Sequence, residues 1–131
     1  MKLWNIFILS FLGISTSSNV FSNIQQLRLD PGFTVSIFAS DLDQPRQMIE
    51  SKNGTIFIGE RSGQIIALLD SDGNGQADSK RVIADDLTYS TGVSIFEGDL
   101  YFSEISKIWK IQDVENWLQK NSSGFPEKIL V

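Results

Sequence analysis

After Leu27 the chain reads as short apolar runs cut by Gly, Asn and Asp. Residues 55–60 (TIFIGE), 64–70 (QIIALLD), 81–85 (RVIAD), 92–97 (GVSIFE), 99–104 (DLYFSE) and 107–111 (KIWKI) are rich in Ile, Val, Phe and Tyr. Turn residues bound each run, which is the pattern of β-strands. Residues 33–39 (FTVSIFA) alternate large and small side chains and predict one more strand. Asn53-Gly54 and Glu97-Gly98 mark tight turns between neighbouring strands. A single segment predicts a helix. Asp113 is placed to cap residues 114–120 (VENWLQK), with Val114, Trp117 and Leu118 on one face, and NSSGFP ends it.

The strands repeat. NGTIFIGE (53–60) aligns with EGDLYFSE (97–104) at an offset of 44 residues. Met48 and Val93 open the two units, QIIALLD aligns with KIWKIQD, and RVIAD aligns with KILV. Four strands in about 40 to 45 residues is the period of a propeller blade. The expected fold is all-β. It is a β-propeller portion of about two four-stranded blades, with residues 33–39 as an N-terminal closing strand and a short helical insert near 113–120. Two blades alone leave two broad apolar faces wet, so residues 23–131 are expected to be the N-terminal part of a larger propeller domain. The alternative is a complete sandwich of two four-stranded sheets.

The N-terminus predicts export. Lys2 precedes the apolar run LWNIFILSFLGI and the small-residue stretch STSSNVFS, so a signal peptide is expected over residues 1–22. Val20 and Ser22 occupy the small positions before the cut. The apolar run is shorter than the roughly 18 to 20 residues that span a bilayer, so no stable membrane anchor is expected. The destination would be periplasmic or extracellular. With 131 residues and 41% hydrophobic content, the chain suits roughly one packed domain. A net charge of -5 offers no basic footprint for nucleic acid. There is no Cys and no His, which removes disulfides, thiolate metal sites and the commonest general base. Chemistry done by this chain must use carboxylates, Lys, Arg, Tyr or a cofactor.

The stretch DSDGNGQAD (70–78) has the look of a calcium loop. In an EF-hand frame, Asp70, Asp72 and Asn74 fill positions one, three and five. Gly75 makes the turn, Gln76 offers its carbonyl and Asp78 sits at nine. Position twelve should be Glu and is Arg81, and flanking helices are absent, so an EF-hand is excluded. Two readings remain. One is a non-helical structural Ca²⁺ loop. The other is a metal-free turn in which Gly73 and Gly75 permit positive φ and the Asp and Asn side chains bond nearby amides.

Four segments carry a resemblance: PGFTVSIFASDLDQPRQM (31–48), GTIFIGERSGQIIALLDSDGNGQAD (54–78), GVSIFEGDLYFSEISKIWKI (92–111) and DVENWL (113–118). In this order they resemble the glucose/sorbosone dehydrogenase family of soluble quinoproteins. The likeness runs from about Leu29 to Val131 and covers roughly the first third of a typical member. It implies a six-bladed propeller with pyrroloquinoline quinone over one face. A histidine base takes a hydroxyl proton, hydride passes to the quinone, and Arg and Lys hold the cofactor carboxylates, commonly with Ca²⁺. That histidine is expected beyond residue 131, so no catalytic residue is assigned in this chain. The implied substrate is a small sugar or polyol, or a related alcohol or aldehyde, and the electron acceptor is unassigned. The alternatives are a non-catalytic propeller that binds carbohydrate or protein, and an inactive truncated product.

Blade topology selects the rim of the expected pocket. The loop into the inner strand and the loop between strands two and three share one end of a blade. Pro45, Arg46 and Gln47 are expected beside Glu60 and Arg61, and Ser90 and Thr91 beside Glu104 and Ser106. Arg46 or Arg61 can grip a cofactor carboxylate through both guanidinium edges. Glu60 or Glu104 can accept sugar hydroxyls. Alternatively, Arg46 pairs with Glu60 or Glu104 and only fixes the rim. The 70–78 loop falls at the opposite end, where a metal would be structural. Trp109 is expected in the layer between blades, and Trp117 to pin the helix. Lys107 and Lys110 read as isolated charges on a solvated face.

Overall fold

The computed structural model describes residues 27–120 and 123–131. The signal expected over residues 1–22 lies outside them. No helix among the described residues is long and apolar enough to cross a membrane. The chain divides into two units, Met1–Ser36 and Ile37–Val131. The described part of the first, 27–36, is exposed and turns where the Phe33 N–H meets the Asp30 carbonyl at 3.2 Å.

The second unit holds every strand among the described residues. Their order is β1 (Pro45–Glu50), β2 (Ile56–Glu60), β3 (Gln64–Leu69), β4 (Ser79–Ala84), β5 (Val93–Phe96), β6 (Asp99–Glu104), β7 (Lys107–Ile111) and β8 (Ile129–Leu130). The helix α1 (Val114–Gln119) lies between β7 and β8. The strands form two four-stranded antiparallel sheets, β1-β2-β3-β4 and β5-β6-β7-β8, each a simple meander. The fold is all-β, as the run lengths and β-branched content predict. Two expectations need correction. Residues 33–39 form no strand; a single long-range backbone bond, from the Ala77 N–H to the Phe38 carbonyl at 2.8 Å, reaches them and does not make a ladder. Pro45, Arg46 and Gln47 are not in a loop but open β1, with a bulge between Pro45 and Gln47. Proline is tolerated there because the first residue of an edge strand needs no ladder donor.

Pleating sorts the side chains. Phe57, Ile65 and Ala67 point to one face of the first sheet, and Ile58, Ile66 and Leu68 to the other. Phe57, Ile65 and Ala67 share a core with Val93, Leu100, Phe102 and Ile111 of the second sheet. Val114 and Leu118 of α1 close its margin, with Trp109 and Trp117 packed against it. Full burial of each large side chain contributes about 1.5 to 3 kcal/mol. The opposite face of the first sheet is covered by Phe38, Ala39 and Leu42.

Close backbone approach fixes the connection out of the first sheet. Gly63 has φ of 104°, and a Cβ there would lie 2.3 Å from the Leu87 carbonyl oxygen. The helix start departs from expectation. Asp113 is left-handed and its side chain caps no backbone N–H. It bonds Asn116 Nδ2 instead, while its own N–H donates to Asp99 Oδ1 at 2.9 Å. The Glu115 carboxylate accepts the hydroxyls of Ser51 and Thr55, which ties α1 to the β1–β2 turn.

Gly63→Ala is expected to cost about 3 kcal/mol or more, because both the backbone and the Leu87 carbonyl must shift. Gly73→Ala, with φ of 70° and nothing within 4 Å of the new Cβ, is expected to cost only about 1 kcal/mol. Urea midpoints measure both, and equal shifts would contradict the close-approach account.

Candidate functional site

The end of the sheets where β2 meets β3 and β6 meets β7 is organised by two glutamates. Glu60 and Glu104 end β2 and β6 and are both buried. Glu60 Oε1 accepts the Asp43 N–H at 2.9 Å, and Glu104 Oε2 accepts the Thr88 N–H at 2.7 Å. The next residue completes each latch. The Arg61 N–H donates to the Gln44 carbonyl at 3.0 Å, and the Ile105 N–H to the Thr88 carbonyl at 3.1 Å. Both lead-in loops share a backbone signature. Asp41 and Gln44 have φ of 58° and 56°, and Asp86 and Tyr89 have 54° and 61°. IFASDL (37–42) and VIADDL (82–87) carry this part of the repeat in the sequence, beyond the strand-to-strand alignment.

Glu104 also accepts the Trp109 Nε1–H at 3.0 Å and pairs with Lys107 at 3.2 Å. The Thr88 N–H, then the Trp109 N–H and the Lys107 ammonium, hold its carboxyl down from the ordinary 4.5 to about 2. Its acceptor capacity is directed inward, so it does not present a free carboxylate to a sugar.

Each expected rim residue has a definite place. Pro45 pairs with Glu60 and Gln47 with Gly59. Arg46 sits at the bulge between them and is exposed. It does not pair with Glu60 or Glu104, since the ion pairs among the described residues are Lys107–Glu104 and Lys110–Asp99. Lys107 and Lys110 are thus not isolated. Glu104 bonds the Thr88 N–H, while the Thr91 N–H donates to the Ser103 carbonyl and Ser90 is buried. Ser106 lies exposed in the β6–β7 turn. The Arg61 guanidinium stacks 4.4 Å from the centre of the half-exposed Tyr89 ring. Tyr89 was not among the expected rim residues, and its spacing of 45 residues from Gln44 is the signal that finds it.

The 70–78 loop joins β3 to β4, at the end of the first sheet away from the glutamate latches. One carboxylate oxygen each from Asp70, Asp72 and Asp78 lies within 4.8 Å of the others. The loop already organises itself. Asp70 accepts the N–H groups of Asn74 and Gly75, Asp72 accepts from Asn74, and Asp78 accepts the Ser71 N–H at 2.6 Å. Asn74 Oδ1 accepts the Gln76 N–H at 2.8 Å. The Gly75 N–H, foremost, lowers the Asp70 pKa. A cation would draw on the same oxygens, with the Asn74 amide and the Gln76 carbonyl as further donors.

The fold and this end of it define an all-β protein made of two repeated antiparallel meanders, each latched by a buried glutamate. Comparison with known protein families, with curated proteins and with solved structures finds no match.

Two outcomes test the geometry. A depressed carboxyl contributes stability that is fully present above the unfolded pKa and is lost as pH falls through the folded one. For Glu104 that window runs from 4.5 down to about 2. Glu104→Gln is therefore expected to lower the urea midpoint at pH 7 and to flatten its decline across that window. An unchanged slope would show that the latch does not form. Separately, Asp70→Ala is expected to lower the melting temperature in the presence of a chelator, since its amide bonds need no metal. No change under chelation would mean that the turn is not held by Asp70.

Proposed function

We propose that the chain is the N-terminal portion of a β-propeller, and that the whole is an exported quinoprotein oxidoreductase acting on a sugar or related alcohol or aldehyde. One observation supports the propeller most. Phe38, Ala39 and Leu42 cover the first sheet through the cluster of Ile58, Ile66 and Leu68. Their repeat counterparts Ile83, Ala84 and Leu87 stand in the cluster with Phe102 and Ile111 of the second sheet. Residues 37–42 thus take the place, relative to the first sheet, that the end of the first sheet takes relative to the second. A closing segment from a preceding blade would do this in a ring.

The motif order supports the chemical half of the reading, together with the cations at the latched end. Exposed Arg46 and Arg61 fit the carboxylates of pyrroloquinoline quinone, and the exposed part of Tyr89 offers an aromatic surface beside Arg61. The quinone would supply the hydride acceptor. Glu60 and Glu104 fit the sugar-binding role poorly, because both already accept backbone N–H groups. In this chain they position the loops that carry Arg61 and Tyr89. The chain has no histidine, so the base would be supplied by residues outside it. A non-catalytic propeller that binds carbohydrate or protein is the second reading, favoured by the inward-turned glutamates.

The coding sequence beyond residue 131 discriminates. Further blades with a histidine followed by Arg and Lys are expected, and blades without such a histidine would leave the binding module. The 131-residue chain given quinone, calcium and glucose is expected not to reduce an artificial electron acceptor. Clear turnover would overturn the assignment of the base to residues outside it.

A further inference from the structure

A cavity of about 490 Å³ lies at the end of the sheets away from the glutamate latches. Lys52 and Asn53 of the β1–β2 turn, Glu97 of the β5–β6 turn and Asp113 beside α1 line it, with half-buried Ile95 and buried Val114 behind them. Its volume falls among those of small-molecule sites, roughly 300 to 1,000 Å³. Hydrogen bonds tie the walls together. The Val114 N–H donates to the Gly98 carbonyl at 3.3 Å, and the Asp113 N–H to Asp99 Oδ1 at 2.9 Å. Glu115 holds the β1–β2 turn through the hydroxyls of Ser51 and Thr55. The cavity is therefore formed before any ligand arrives, and a pre-formed site loses less binding energy to ordering.

The lining carries both signs of charge, and they do not meet. Lys52 and Glu97 form no ion pair with each other or with any other described residue. Two opposite charges that share a cavity without closing on each other leave room for a molecule that carries both. The other carboxylates are differently placed. Both Glu115 oxygens already accept hydroxyls, and one Asp113 oxygen accepts Asn116 Nδ2–H. One ammonium thus stands against two available carboxylates, Glu97 and Asp113. That excess favours a ligand with two cations and one anion, since complementary charge sets specificity. Ile95 and Val114 offer apolar contact to the methylene stem that would join those charges.

We infer that this cavity is a binding site for a small dibasic amino acid. The Lys52 ammonium takes its carboxylate, Glu97 its α-ammonium and Asp113 its distal cation, with the methylene stem against Ile95 and Val114. The site binds and does no chemistry. It lies at the opposite end of the sheets from Arg46 and Arg61, and every residue it uses is in this chain. It therefore stands or falls independently of the oxidoreductase reading.

Amide chemical shifts of the full chain titrated with L-lysine supply the test. The Gly98 and Val114 N–H signals are expected to move together and to saturate. Two analogues separate the charges: cadaverine lacks the carboxylate, and 6-aminohexanoate lacks the α-ammonium. Each is expected to bind about tenfold more weakly than L-lysine, the loss of one charge-assisted bond. Lys52→Gln is expected to remove the preference over cadaverine, and Glu97→Gln the preference over 6-aminohexanoate. Both side chains are exposed and unbonded among the described residues, so both variants are expected to keep the wild-type urea midpoint. Glu127→Gln, which removes an exposed carboxylate elsewhere, is expected to leave all three affinities unchanged. No saturable movement of the Gly98 and Val114 signals by about 10 mM L-lysine overturns the site. Cadaverine binding as tightly as L-lysine overturns it too, since mere attraction of cations would then suffice. Preferences that survive both the K52Q and E97Q changes overturn the assignment of the charges.

Discussion

The contact between the Phe57–Ile65–Ala67 face and the Leu100–Phe102–Ile111 face organises the molecule. Each sheet alone has two faces and little else to cover them, and a lone small sheet is marginal in water. Pressing one face of each sheet against the other removes Phe57, Ile65, Leu100, Phe102 and Ile111 from solvent. Everything at the latched end follows from that register. The close approach of Gly63 to the Leu87 carbonyl leaves no room for a Cβ, and at Gly59 the Thr91 carbonyl lies 3.0 Å from where one would sit. Tyr89 reaches Arg61 only because the connection out of the first sheet is held there.

The buried glutamates show how one residue serves both fold and site. A carboxylate at the end of the second strand meets a backbone N–H of the loop that leads into the first. A charge-assisted bond of this kind is stronger than a neutral one and orients a loop without regular structure. The loops then adopt left-handed φ at the same two positions in each repeat, which costs energy for residues such as Tyr89 and Gln44. The latch offsets that cost and sets the loop side chains at the rim. The arginines there face solvent, while the glutamates turn inward.

Much of the fold was legible in the residues. The runs TIFIGE, QIIALLD, DLYFSE and KIWKI became β2, β3, β6 and β7, because β-branched and aromatic side chains between Gly and Asp turns have few alternatives. PRQMIE hid β1, since an edge strand with a proline and mostly exposed side chains carries no apolar alternation. FTVSIFA misled in the opposite direction. Its alternation reports amphipathic character, and a strand needs a neighbour's N–H and C=O groups as well. The site was less legible than the fold. Glu60 and Glu104 stood out as charges, but their burial and their bonds to the Asp43 and Thr88 N–H groups depend on loops 16 and 17 residues away, which no local pattern displays.

By itself the sequence determined the class of structure and the two-unit repeat, and marked 70–78 as a turn, because these depend on local period and on residue types that favour turns. Only the tertiary structure decided which face of each sheet is covered and that Arg61 meets Tyr89. Those outcomes join residues far apart in the chain, and a local pattern of polar and apolar positions reads the same whichever distant partner it packs against.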